Sequence, residues 1–478
     1  MVSISNDLKT KITQIFCKKH NIVPIMEDNT VAIFNVLNYD ENLKSNLEEI
    51  LGKTVEFKIS HKNDIFRKIE EIYNYDINKE IKDITSKEIV DNQASLYEED
   101  SPAVRVLNYI LDTSIQLAAS DIHIEPLFVD VLVRIRVDGS LVKLKKIPNS
   151  LYQTVVSRIK ILSSLDISEK RLPQDGRFSY NFGKENIDIR VAIIPTGNGE
   201  KVVLRILDIQ RIAYTPEGIG LYGENLTKIM SLINQPSGLI LCCGPTSSGK
   251  TSTLYTLLKR LNKTDINIMT IEDPIEYKIE GINQIEVNHN TGLDFEKGLM
   301  SILRMDPDKI MIGEIRSSNT ANIAISSSIT GHLVLSTLHT ESSPSSINRL
   351  INMGIEPYLV SAGLIGVISQ RLIRKLCPDC KKKVKNNFEL IDSDYIYKAV
   401  GCSKCNNGYL GRNAVYEIMI VDNEIRELII SRKSTAVIKS IAIKKGMTTL
   451  SDEILKLIKN GETTMEEYFK NIHTLGGF

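Results

Sequence analysis

Between residues 234 and 370 the chain carries four short, largely apolar runs, GLILCCG, INIMTIED, KIMIGE and HLVLSTLH. Each ends in turn chemistry, and most lead into a segment of helical period. Runs of this kind predict strands buried on both faces, and their alternation with helices predicts a parallel sheet with helices on either side, an α/β core over 234–370. Upstream the period changes. Apolar positions follow a helical spacing from Ala103 to about Ala119 and then alternate with polar ones over 129–137, 187–194 and 202–207, which predicts half-buried strands. These segments form an α+β domain at 101–212, with a hinge at 213–233 before the core.

Residues 1–75 mix short apolar runs, Ile22 to Ile25 and Val31 to Val36, with helical stretches and show no catalytic constellation, so they read as a small adaptor domain. Residues 76–100 are polar and acidic and read as a linker, closed by Ser101-Pro102, a favoured helix start. Beyond residue 370 a cysteine-bearing segment spans 371–412, and a helical region spans 413–478. The chain has no internal repeat.

Composition narrows the class. The 478 residues are 42% hydrophobic and 25% charged, ample for packed cores and unlike a disordered chain. Lys plus Arg equals Asp plus Glu at 59 each, and aromatics are 6%, so nothing suggests a nucleic-acid partner. No apolar run approaches the 18 or so residues a membrane span needs, and the N-terminus does not read as a secretion signal. A cytoplasmic protein is expected, without direct membrane insertion and with any membrane attachment supplied by partners.

One motif carries explicit chemistry. Gly244-Pro245-Thr246-Ser247-Ser248-Gly249-Lys250-Thr251 fits GxxxxGK[ST]; it follows the run GLILCC, and Ser252 continues into a helical pattern through Leu261. Glycines let the backbone curl so that amides face phosphate oxygens. Lys250 neutralises the β- and γ-phosphates of ATP, and the Thr251 hydroxyl can coordinate Mg²⁺. The competing reading is an ordinary glycine-rich turn, but strand, loop, Lys-Thr and helix are all in place.

A nucleotide hydrolase also needs carboxylates at the ends of neighbouring strands. Glu272 and Glu276 follow one strand and Glu314 follows another. Glu314 is placed to hold Mg²⁺ through water or to polarise the attacking water, with Glu272 or Glu276 as alternative bases. Such acids can equally cap a helix or face solvent. His332 and His339 bracket the fourth strand; alternation puts them on opposite faces, and His339, at the carboxyl end, is the better γ-phosphate sensor. A lone strand-end histidine is otherwise most often structural.

Four of the seven cysteines form Cys377-Pro-Asp-Cys380 and Cys402-Ser-Lys-Cys405. Four thiolates in two such pairs fill the tetrahedral shell of structural Zn²⁺, whereas a thiol–disulfide enzyme needs one pair. Lys375, Lys381, Lys382, Lys383 and Lys404 offset the negative charge of such a centre. Cys17, Cys242 and Cys243 read as buried hydrophobes or spare thiols.

TIEDPIEY (270–277), DPDKIMIGEIR (306–316) and TGHLVLSTLHT (330–340) resemble the Asp box, Walker B and His box of the secretion ATPase superfamily, on the branch of the type II secretion and type IV pilus assembly ATPases. ASDIHIEP (119–126), RVDG (136–139), RLPQDGR (171–177) and SQRLIRKLCPDC (369–380) resemble it too, so recognisable motifs span about 100–412, and residues 1–75 resemble a shortened form of the family's N-terminal domain. The resemblance implies a homo-hexamer in which a PAS-like domain is hinged to a RecA-like motor. It also implies that Arg190 and Arg205, each inside an apolar strand pattern, reach ATP, and that the motor drives pilus extension through an inner-membrane platform protein. Type II secretion is the alternative, and a nucleotide-gated scaffold with little turnover a further one; a nucleic-acid motor on the same core is disfavoured. The cysteine tetrad speaks against retraction-type relatives, which usually lack it. This sequence departs from the family at Ser247, where glycine is common, at Ser317 and Asn319, where Asp and Glu are usual, and at Met300 and Met305, where Arg and Gln are usual.

Overall fold

A computed structural model of the chain describes residues 101–207 except 184 and residues 214–472 except 403 and 404; of the N-terminal region it describes residues 20–61 except 29 and single positions between 4 and 72. The linker placed at 76–100, the start of the hinge at 213 and Lys404 lie outside the described residues. The chain divides into two compact units, Met1–Asp208 and Ile209–Phe478.

In the first unit, β1 (Ile22–Glu27) and β2 (Val31–Val36) pair antiparallel, and α1 (Glu41–Leu51) crosses over to bring β3 (Thr54–Ile59) parallel to β2. Asp40 accepts from the amides of Asn42 and Leu43 to start α1, and Gly52 ends it with φ +65°. The same unit continues with α2 (Pro102–Gln116), whose Ser101 cap and first-turn Pro102 follow the expected helix start. Next come β4 (Asp121–Pro126), β5 (Asp130–Val137), β6 (Ser140–Pro148), α3 (Asn149–Leu162), β7 (Gln174–Phe182), β8 (Glu185–Thr196) and β9 (Gly199–Leu207). The six strands form an antiparallel sheet in the order β6-β5-β4-β9-β8-β7. Single alternation is visible in β8, where Ile187, Ile189, Val191 and Ile193 are buried among residues of both helices, while the residues between them lie on the other face.

The second unit begins with α4 (Gly223–Ile233), β10 (Gly238–Cys243), α5 (Lys250–Leu261), β11 (Ile268–Glu272), β12 (Asn283–Glu286), α6 (Phe295–Ile302), β13 (Lys309–Ile312), α7 (Ser318–Ile329) and β14 (Leu333–Leu338). It continues through α8 (Ser343–Asn352), α9 (Pro357–Gly363), β15 (Leu364–Leu376), β16 (Lys382–Lys385), β17 (Tyr395–Lys398) and β18 (Tyr409–Ile420). It ends with α10 (Asn423–Ile430), α11 (Thr435–Lys444), α12 (Leu450–Lys459) and α13 (Met465–Asn471). Seven strands form one sheet in the order β12-β11-β13-β14-β10-β15-β18, the first six parallel and β18 antiparallel at the edge. Every residue of β10 is buried: Leu239, Leu241 and Cys243 join the core on one face, Ile240 and Cys242 the core on the other. A strand covered on both sides has no polar face to show, which is why it reads as one apolar run.

The four apolar runs account for four of these strands. The sheet also runs on past residue 370: β15 continues to Leu376, and β18 returns inside the stretch read as helical. The outer half of β15 contains Arg371, Arg374 and Lys375, so it lacks the apolar signature. Arg374 is nevertheless well placed. Its Nη2 lies 2.7 Å from Oε1 of the buried Glu467, and its guanidinium stacks 3.9 Å from the centre of the Tyr409 ring, tying α13 to β15. The cysteine-bearing segment is an insertion between β15 and β18.

Candidate functional site

The loop at the carboxyl end of β10 is shaped by backbone constraints. Gly244 and Gly249 have φ of +149° and +91°. A Cβ on Gly244 would come within 2.6 Å of the Gln370 carbonyl oxygen and of Ser248 Oγ, and one on Gly249 within 2.7 Å of Gln370 Nε2. Ser247 sits at φ +62°, where an L-residue is strained and the family's usual glycine is not. Ser247→Gly should therefore stabilise the protein by about 0.5–1 kcal/mol, read as a rise of roughly 1–4 °C in melting temperature. A lower melting temperature would show that the serine is held without strain.

Lys250 opens α5 and folds back over the loop, its Nζ donating to the carbonyls of Gly244 and Pro245 at 2.9 Å each. Burial pulls its pKa below the ordinary lysine value, opposed by Cys243, Cys242 and Glu314. Thr251 is exposed, and Ser248 Oγ is buried without a hydrogen-bond partner. A cradle that no Cβ could enter, an orphaned hydroxyl and a lysine resting on carbonyls form a donor set that fits ATP phosphates, with the Thr251 hydroxyl free for Mg²⁺.

The strand-end acids differ in their surroundings. Glu272 is 3% exposed, and its carboxylate accepts from the Tyr255 hydroxyl, from Thr270 Oγ1 at 2.6 Å and from Gln284 Nε2 at 3.1 Å. Three donors fix its carboxylate in one position. Glu276 is half-buried, and its amide donates to the same Tyr255 oxygen at 3.2 Å. Glu314 is half-buried between two cationic or polar neighbours: Oε1 lies 2.5 Å from Arg316 Nη2, and Oε2 lies 3.6 Å from His339 Nε2. Burial first, and then the Lys250 charge, hold His339 below the ordinary imidazole pKa, so the ring is mainly neutral at pH 7. Lys250, Glu314 and His339 thus share one electrostatic environment at the carboxyl edge of the sheet. His332 sits elsewhere. Its carbonyl accepts from the amide of Gly238, which opens β10, so it lies at the opposite edge of the sheet from the loop, with Nδ1 3.1 Å from the Ser327 carbonyl.

In the first unit, Arg190 and Arg205 are direct cross-strand partners, and Arg205 Nε lies 3.0 Å from Asp121 Oδ1. The family departures also find local partners. Ser317 accepts from the Thr320 amide as the cap of α7, the work an Asp would do, and Asn319 Nδ2 donates to Glu296 at 3.0 Å. Met300 and Met305 are exposed.

Sequence patterns gave no sign of the support behind the acids. Tyr214 stacks on Tyr277 with ring centres 5.4 Å apart and planes within 6°, and Lys259 Nζ lies 4.8 Å from the Tyr214 ring. The three residues are far apart in the chain and carry no shared motif.

The four sulfurs of Cys377, Cys380, Cys402 and Cys405 all lie within 4.8 Å of one another, with separations of 3.9 Å (377 to 402), 3.7 Å (380 to 405) and 3.6 Å (402 to 405). A tetrahedron with Zn–S bonds of about 2.3 Å has edges of about 3.8 Å, whereas a disulfide would need about 2.05 Å. The donors fit Zn²⁺.

Comparisons with known proteins agree. The family described as type II/IV secretion system protein matches residues 97–470, and the MshEN domain matches residues 2–78. The type IV pilus assembly ATPase PilB of Myxococcus xanthus is 45% identical over 386 residues, covering 78% of this chain and 68% of that protein. The type II secretion system protein HxcR of Pseudomonas aeruginosa is 44% identical over 374 residues, covering 78% of each. Among solved structures, the pilus retraction motor PilT with bound ADP is 26% identical with a TM-score of 0.54, covering 77% of this chain and 97% of that one. The chain therefore belongs to the type II/IV secretion system protein family and is one of its ATPases.

Proposed function

We propose that this ATPase is the extension motor of a type IV pilus, working as a homo-hexamer on an inner-membrane platform protein at the cytoplasmic face of the membrane. The observation that carries the reading is the four-cysteine insertion between β15 and β18, in a chain 45% identical to a pilus assembly ATPase. ATP binds at residues 244–252, where Lys250 neutralises the β- and γ-phosphates and the Thr251 hydroxyl takes a place on Mg²⁺. Glu314 polarises the attacking water, because it is the strand-end acid that acts on Lys250 and sits beside His339, and the neutral His339 senses the γ-phosphate. Arg190 and Arg205 supply transition-state charge when the domains close. Glu272, with three donors on its carboxylate, holds the neighbouring loop in place, and Glu276 stays an alternative base. Among the described residues no helix is long and apolar enough to cross a membrane, in keeping with recruitment by partners.

A second reading, a type II secretion ATPase driving pseudopilus assembly, is favoured by the 44% identity to HxcR. The two separate in the producing organism. Deletion complemented with the parent gene should restore surface pili, and complementation with Glu314→Gln should not. Pili that persist in the deletion strain while exported proteins disappear would select the secretion reading.

A further inference from the structure

We infer that Arg371, carried on β15 and not on the phosphate loop, is a second fixed cation of the nucleotide site and binds the phosphates from the same subunit. The inference deepens the assignment of ATP to residues 244–252 and rests on it. Gln370 and Arg371 lie directly behind the loop. Gln370 is 1% exposed; its Oε1 accepts from the buried Thr253 hydroxyl of α5 at 2.7 Å, and its Nε2 lies against Gly249. That contact fixes β15 to the loop's helix, and with it the position of the next side chain.

The Arg371 guanidinium lies 3.3 Å, through Nη1, from the point a Cβ on Gly244 would occupy. It is held there by two neutral acceptors, the Gln370 carbonyl at 3.0 Å from Nη1 and the Glu341 carbonyl at 2.9 Å from Nη2. Among the described residues no carboxylate lies within ion-pair distance of it, and the more distant carboxylates of Glu341 and Glu417 favour its charge without occupying its N–H groups. The side chain is half-buried, and it is close enough to Lys250 for the two positive charges to disfavour one another. Both cations rest on carbonyl oxygens beside Gly244, and a polyanion entering the loop can replace those dipoles with full negative charge. The guanidinium retains N–H groups beyond the two used, so it can bind a phosphate oxygen without giving up its anchors.

The test is binding of a fluorescent ADP analogue to the full chain, in the parent, Arg371→Gln, Arg371→Lys and Lys250→Ala. Arg371→Gln should weaken binding roughly 10- to 100-fold, the range for losing a hydrogen bond to a charged group. Arg371→Lys should recover part of that loss, because an ammonium can still act on phosphate as a point charge. Melting of the nucleotide-free variants checks that both are folded. Parent-like affinity in a folded Arg371→Gln protein would overturn the assignment while leaving the loop as the site. An equal loss in both Arg371 variants would overturn it as well, because it would make the anchoring of residues 341 and 370 the role of Arg371. Absence of binding by the parent would overturn the nucleotide site itself, and this assignment with it.

Discussion

Lys250→Ala should reduce ATP turnover to background, a loss on the order of 10²- to 10³-fold or more, the scale for removing one preorganised group from developing charge. In the present structure Nζ rests on the carbonyls of Gly244 and Pro245. Binding exchanges those dipoles for phosphate oxygens, so the lysine contributes most when charge is greatest. Steady-state hydrolysis by purified protein under oligomer-forming conditions measures the effect, with nucleotide-free melting as the control for folding. Near-parental turnover would remove the loop from the chemistry. Very slow turnover by the parent protein would instead favour the scaffold reading, in which ATP gates assembly and little is hydrolysed.

Metal analysis should return about one Zn²⁺ per chain, and stripping it should unfold the insertion. Structural zinc in small peptides supplies apparent binding energies of roughly 10–16 kcal/mol, far more than the segment's other ties, in which Ile391 and Ile396 pack into the apolar cluster of α12 and α13 and Lys381 Nζ donates to the Gly461 carbonyl at 2.7 Å. Its own sheet is the two-stranded β16-β17 pair, a unit of marginal stability alone. Limited proteolysis with and without chelator, followed by mass spectrometry, locates the opened segment. Cleavage should begin between residues 377 and 405 and spare β10. A metal-free protein with unchanged melting and cleavage in chelator would sink the assignment and return the cysteines to the redox reading.

Much of this site could be read before any coordinates. The phosphate loop is legible because its chemistry is contiguous: glycine, lysine and threonine must sit at fixed spacings for the backbone to curl round an anion. The cysteine tetrad is legible for a similar reason, since each CxxC turn already presents two ligands. The sequence put Glu314 first and Glu272 and Glu276 behind it without showing what surrounds each. Glu272 and Glu314 both follow a strand, and only the fold shows three donors converging on the first while the second faces His339 and Arg316. Gln370 and Arg371 were hidden for another reason. They lie in the recognisable run SQRLIRKLCPDC, yet their nearness to Gly249 and Gly244 depends on β15 running parallel beside β10, a pairing between residues more than 100 positions apart. Strand β18 was missed because an edge strand with one neighbour need not be apolar throughout.

Strand β15 passes behind the phosphate loop at Gln370 and delivers Cys377 to the metal ligands seven positions later, one after its own last residue. Side chains alternate along a strand, so adding or deleting one residue between these points would turn either Gln370 away from the loop or Cys377 away from its three partners. The stretch 381–401 between the two CxxC turns is restricted differently, by the pairing of β16 with β17 and by the buried Ile391 and Ile396. Across relatives, changes of length inside the insertion should fall outside its paired strands, whereas the count from the glutamine to the first cysteine should stay constant, a ruler cut to one length.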